Sequence, residues 1–273
     1  MKKAFSTLAC PELNFTEVVA LAKRSGITAV ELRLDRQNRI CGLEGAYQMD
    51  IVRRLLRENG VSICDLATGI SFHDYNPAMV DEMERCAALA KEGGTKALRI
   101  FIGASVGKRS EEVVRDYDGI ARTLIEGADR VKPYGVELWI ETHSNFSTGE
   151  SLLPLLQAVN RDNVRVLWDV IHSVEWGESL EDTVKAIGQY IVHVHLKDGV
   201  KRSDPDRIHY ELTALDQGDL DFAATARVLR DIGFDGCLSL EWEKQWHPEL
   251  AALYADNDAL LAAYDALLEK YFA

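Results

Sequence analysis

Eight short runs of β-branched or apolar residues recur along the chain, separated by longer amphipathic stretches, and this alternation limits the fold more than any other feature. The runs are KKAFSTLA, ITAVELRLD, VSICDLAT, TKALRIFIG, VELWIETH, VRVLWDVIH, YIVHVHLKD and GCLSLEWE. Between them, Val113, Tyr117, Ile120, Leu124, Ala128 and Val131 follow a helical period that Pro133 and Gly135 end. Near the start, Asn14 and Glu17 have the spacing of a capping box, and Gly26 stands where a helix would stop.

Eight strand–helix units within 273 residues, with no linker or low-complexity segment between them, predict an α/β protein: a closed (β/α)8 TIM barrel, read as one domain over residues 1–273. A doubly wound open sheet is the alternative. It would normally carry a glycine-rich loop after its first strand, and STLACPELNF contains no glycine.

A barrel places its chemistry at the C-terminal ends of its strands. Glu141 ends VELWIE, Asp169 ends VRVLWD with His172 three residues on, His195 closes IVHVH, and Glu241 ends CLSLE. One strand-end carboxylate is ordinarily a helix cap or a solvated loop residue, but four such positions on the last four strands are hard to explain as independent caps. Three carboxylates and an imidazole make an O3N donor set, suited to Mn²⁺, Mg²⁺ or Co²⁺ and tolerable for Zn²⁺. Strand alternation puts His193 on the same wall as His195, and Glu243 on the same wall as Glu241. Each is therefore read as a supporting partner of the first coordination layer or as an alternate ligand.

Other residues border the same mouth. Arg99 can fix a hydroxyl, carboxylate or phosphate of a substrate, or pair with Glu31 inside the barrel, as can Arg33. His73, His143 and Lys197 follow the third, fifth and seventh strands and are read as pocket residues, with Lys197 the best placed. Trp139, Trp168 and Trp242 read as packing residues, while Trp176 and Trp246 lie beyond strand ends and read as pocket walls. The segment RSDPDRIHYELTALDQGDLDF is long for a βα connection and is a candidate lid.

Composition narrows the partners. A formal net charge of −13 disfavours nucleic acid, and no run reaches the roughly 18 apolar residues of a membrane span, so the expected ligand is a small molecule. MKKAFSTLAC imitates a secretory start, but its apolar part is too short for a signal peptide and a strand explains it better. Five cysteines, at positions 10, 41, 64, 86 and 237, form no CxxC pair; they suggest reduced thiols in a cytoplasmic protein and argue against a disulfide framework or a structural zinc site.

The segments VELWIETH, LWDVIHS, HVHLKDG and LSLEWE, with 28, 26 and 46 residues between their acidic or imidazole groups, resemble the xylose isomerase-like TIM-barrel superfamily. That superfamily takes in sugar isomerases and epimerases, inosose and dehydroshikimate dehydratases, and AP endonucleases. The resemblance implies metal ligands at Glu141, Asp169, His195 and Glu241, proton transfer by Glu141 and Glu241, and a substrate contact at His172. It implies a divalent-metal isomerase or epimerase of a sugar, sugar phosphate or polyol, working through a metal-stabilised enediolate, with Mn²⁺ the first choice of ion and a homodimer or homotetramer expected. Dehydration on the same scaffold is the alternative. A phosphodiesterase of the AP endonuclease kind is disfavoured, because the first four strands offer only His73 for further metals. One departure stands out: where the ketose 3-epimerases carry a second glutamate six residues after the strand-five ligand, this chain has Ser147.

Overall fold

The computed structural model describes residues 1–34 and 49–273; Asp35 of the second run and Cys41 lie outside the described residues. In chain order the elements are β1 (Lys2–Ser6), α1 (Phe15–Arg24), β2 (Ala29–Arg33), α2 (Met49–Glu58), β3 (Ser62–Phe72), α3 (Pro77–Gly93), β4 (Ala97–Ile102), α4 (Tyr117–Val131) and β5 (Glu137–Glu141). They continue with α5 (Gly149–Val159), β6 (Val164–Asp169), α6 (Val170–Glu175), α7 (Leu180–Ile187), β7 (Ile191–Leu196), β8 (Gly199–Val200), β9 (Glu211–Leu212), α8 (Phe222–Asp231), β10 (Cys237–Leu240) and α9 (Asn257–Tyr271).

Eight parallel strands close in the order β1-β10-β7-β6-β5-β4-β3-β2, so the fold is a (β/α)8 barrel, and each of the eight apolar runs supplies one of its strands. The outward-facing strand residues Val30, Leu66, Leu98, Ile140, Trp168, Val194 and Leu240 are wholly buried beneath the helices. Burying such a side chain is worth about 1.5–3 kcal/mol, and the barrel's stability rests on this layer. Inside the barrel, Ala97, Trp139 and Leu167 pack together toward the N-terminal floor. Trp139 thus packs the interior as expected, and Trp168 and Trp242 are buried too.

Local signals hold in detail. Asn14 accepts from the Glu17 amide at 3.1 Å and donates its own amide to Glu17 Oε2 at 2.8 Å, closing the capping box of α1; Gly26 follows at φ +67°. The helix expected from Val113 begins at Tyr117 instead, because Asp116 caps it by accepting from Gly119 N at 2.9 Å.

The segment after β7 is built on Asp198. Its carboxylate accepts from the amides of Gly199 and Gly218, both at 2.9 Å, and from Gln217 at 3.2 Å. A Cβ on Gly218 would stand 2.2 Å from Asp198 Oδ1, so only glycine fits this turn. With its base fixed there, the long connection folds back as the antiparallel β8–β9 pair, and Lys108 bridges to Arg207 across the mouth.

Candidate functional site

At the C-terminal mouth of the barrel, one ligand atom from each of Glu141, Asp169, His195 and Glu241 lies within 4.8 Å of the others, and all four side chains are buried. Four different strand ends deliver them. Glu141 ends β5, Asp169 ends β6, His195 lies in β7, and Glu241 follows β10.

His195 organises the cluster. Its Nε2 is 2.7 Å from Glu31 Oε2, which pins the ring and turns its other nitrogen toward the cluster. That Nδ1 faces Glu241 Oε2 at 3.4 Å and Asp169 Oδ2 and Glu141 Oε1 at 3.9 Å, with no hydrogen-bond partner. Asp169 is likewise buried, its Oδ1 without a hydrogen-bond partner while its Oδ2 meets only the Lys197 ammonium and the His172 ring. Unpaired buried groups of this kind cost about 1–3 kcal/mol each unless something completes them. A divalent cation fits the arrangement. An imidazole held by a carboxylate on its far nitrogen, facing three carboxylates, is how a metal-binding histidine is usually supported.

Cations already hem the carboxylates in. Lys197 Nζ lies 2.7 Å from Asp169 Oδ2, 2.6 Å from Glu241 Oε2 and 2.5 Å from Glu243 Oε1, and Arg99 holds Glu141 Oε2 at 2.9 Å. Burial raises the Glu141 carboxyl to about 7, against the pull of Arg99. Burial also opposes ionisation of Glu241, but Lys197 and His195 overcome it and hold that carboxyl well below the usual range. The two carboxyls on either side of the cluster are thus shifted in opposite directions, the pattern of an acid–base pair.

Beside them, His172 Nδ1 pairs with Glu175 Oε2 at 2.8 Å and its Nε2 stands 3.4 Å from Asp169 Oδ2. Burial works against the charge on His172, but Asp169 and Glu175 raise it to about 9. His143 packs edge-on against that ring with centroids 4.8 Å apart, and burial, then the charge of His172, holds it well below its ordinary value. Above the cluster opens a cleft of about 1060 Å³, bordered by Arg33, Arg99, His143, His172, Lys197, Lys201, His209 and Trp246 among others.

The structure brings Glu141, Asp169, His195, Glu241, His172, Arg99, His143, Lys197 and Glu243 to this mouth. Two expectations need correcting. His73 does not line the cleft: β3 runs on to Phe72 and carries the ring past the rim, where its side chain is 70% exposed. Trp176 lines a separate groove with Thr148 and Glu178, because α6 ends at Glu175 and turns it away. His193 lies one layer deeper than His195, its Nε2 3.3 Å from Glu31 Oε2. Arg99 pairs with Glu141 rather than Glu31. Ser147 turns inward, donating to Ser144 O at 2.8 Å, so the position of the missing glutamate faces the core. Of the candidate lid segment, Arg202, Ser203, Asp204 and Arg207 border the cleft, beside Lys201.

Three participants went unread in the sequence. Glu31 is the partner of His195; its inward parity was visible, but it was matched to arginine. Glu175 follows Asp169 and His172 at a repeated spacing of three, a helical signal that was available. His209, 3.2 Å from Glu175 Oε2 through its Nδ1, comes from the long connection and carries no pattern at all.

The chain belongs to the xylose isomerase-like TIM barrel family, whose model matches residues 19–263. Among individual proteins, it is 33% identical over 162 residues to an inosose isomerase of Bacillus licheniformis, covering 55% of each chain. It is 28% identical over 140 residues to an inosose dehydratase of Clostridium perfringens, covering 45% of this chain and 47% of the relative. The chain therefore spans about half the length of these curated relatives. A crystal structure of the IolI protein with a bound zinc atom superposes with a TM-score of 0.82 at 21% identity, over the whole of both chains, a likeness of fold. No helix among the described residues is long and apolar enough to cross a membrane.

Proposed function

We propose that this protein is a divalent-metal-dependent isomerase or epimerase of a small polyhydroxy ketone, with an inosose the first candidate substrate. The observation that carries this reading is the His195 ring, fixed by Glu31 on one nitrogen and turned with its other, unpaired nitrogen toward three buried carboxylates. The resemblance to inosose isomerases supports the substrate class.

Glu141, Asp169, His195 and Glu241 would hold the ion. Bound there, it would polarise a substrate carbonyl and acidify the neighbouring C–H. The chain's own groups then handle the proton. Glu241, held ionised by Lys197 and His195, takes the proton from the carbon on its side. Glu141, whose carboxyl lies at about 7, returns a proton on the other side. Arg99 keeps Glu141 in place, and the His172–Glu175 pair presents a charged donor to a substrate hydroxyl. The connection between β8 and β9 lends the basic residues Lys201, Arg202 and Arg207 to the cleft wall, where they would limit water around a bound substrate.

A second reading, a dehydratase, is favoured by one feature: Lys197 and His172 put two cationic proton donors beside Asp169, where a departing hydroxyl would need one. Incubation of the Mn²⁺-loaded protein with inososes and ketoses in D₂O separates the two. Isomerisation predicts a product of unchanged formula carrying solvent deuterium at the exchanged carbon. A product lighter by one water would establish the dehydratase reading instead.

A further inference from the structure

The opposite end of the barrel interior holds a second cluster that the mouth chemistry does not use. Cys237 opens β10 and lies in register with His193 of β7. Cys64 arrives by another route. Where β3 pairs with β2, Val30 faces Ile63 and Glu31 faces Asp65, so Cys64 is the extra residue of a bulge. A bulge re-aims the side chain it inserts, and here the thiol joins His193 and Cys237, one ligand atom of each lying within 4.8 Å of the others.

The surroundings are short of partners. His193 is wholly buried, with neither ring nitrogen in a well-formed hydrogen bond, and both carboxylate oxygens of the buried Asp65 next to Cys64 are unpartnered. Trp139 packs on the His193 ring with centroids 5.4 Å apart and limits where it can turn.

We propose that Cys64, His193 and Cys237 form a second, thiophilic metal site at the barrel floor, with zinc the preferred ion and a fourth position left for water. Two thiolates balance the charge of a divalent ion, and the S₂N donor set is that of zinc rather than of manganese or magnesium. The site is chemically distinct from the mouth, which offers no sulfur, and the two would sort metals by softness. Binding would displace the thiol protons and the second proton of the His193 ring to solvent, and leave the oxidation state of every group unchanged.

The test uses the full chain, reduced and with the mouth disabled by Glu141→Gln and Glu241→Gln. Titration with Co²⁺ should give a near-ultraviolet thiolate-to-cobalt charge-transfer band that saturates at about one equivalent, an S₂N site binding one ion. The band should vanish on adding Zn²⁺ and be absent from both Cys64→Ser and Cys237→Ser. Alkylation mapped by mass spectrometry on the unmutated chain supplies a second readout that needs no floor variant. Zn²⁺ should slow modification of Cys64 and Cys237 and leave Cys10 and Cys86 unaffected. Cobalt bound without a sulfur band, a band that survives both serine variants, or no protection of the two thiols would each overturn the proposal.

Discussion

His193 and His195 leave the same strand on the same side, two residues apart, yet one faces thiols at the floor and the other faces carboxylates at the mouth. The difference comes from what neighbouring strands present at each depth. At the mouth, strand ends β5, β6 and β10 deliver oxygen donors, and Lys197 and Arg99 keep them from repelling one another. At the floor, a bulge in β3 and the first residue of β10 deliver sulfur. Glu31 touches both rings, 2.7 Å from His195 and 3.3 Å from His193, but hydrogen-bonds well only to the first. A strand's period of two therefore predicts which residues share a wall, while their chemistry is set by depth along the barrel axis.

The largest expected effect separates the two histidines. His195→Ala should abolish Mn²⁺ binding measured by calorimetry, and with it any turnover, whereas His193→Ala should leave Mn²⁺ bound at the mouth. Equal loss in both variants would break the distinction. A smaller effect is expected from Glu31→Gln, which keeps the shape of the side chain but weakens the acceptor that orients His195. Mn²⁺ affinity should fall about 10–100-fold, the usual cost of removing a group that supports a metal ligand.

The smallest effect concerns stability and pH at the mouth. Burial opposes the charge on Glu175, but His172 and His209 hold its carboxyl well below the ordinary range. A depressed carboxyl contributes stability above its unfolded value of about 4.3, and that contribution is lost as pH falls. His172, raised to about 9, contributes stability below its unfolded value, and that is lost as pH rises from about 6.5 through 9. Thermal melts should accordingly show a plateau of stability between these limits. Glu175→Gln should lower that plateau by about 1–3 kcal/mol, the cost of leaving a buried partner unsatisfied, and flatten its alkaline side.

How much of this was legible in the sequence depends on the range over which each signal acts. The barrel was readable because every strand is a local apolar run, and the capping box of α1 because Asn14 and Glu17 lie in one turn. The mouth residues were readable because a barrel collects strand ends at one place, so Glu141, Asp169, His195 and Glu241 needed no knowledge of distance. His73 failed the same rule, since the strand before it extends past the run that marked it. Glu31 and Asp65 were hidden inside strands, where only the closed barrel shows what they face. The Cys64–Cys237 approach was further out of reach: the two residues lie more than half the chain apart and depend on a single bulge. Spacing along the chain argued against a thiolate site, and closure of the barrel brings its parts together.

The central claim is that the four mouth residues form a divalent-metal site, and Mn²⁺ titration of the purified protein beside its Glu141→Gln, Glu241→Gln double variant tests it most directly. Manganese is hard enough to report on the carboxylate end of the barrel and not on the sulfur end. The account predicts about one Mn²⁺ per chain, as one cluster of four ligands requires, with binding abolished in the double variant while its circular dichroism is unchanged. Absence of binding in the parent protein, or equal binding in both, would contradict it.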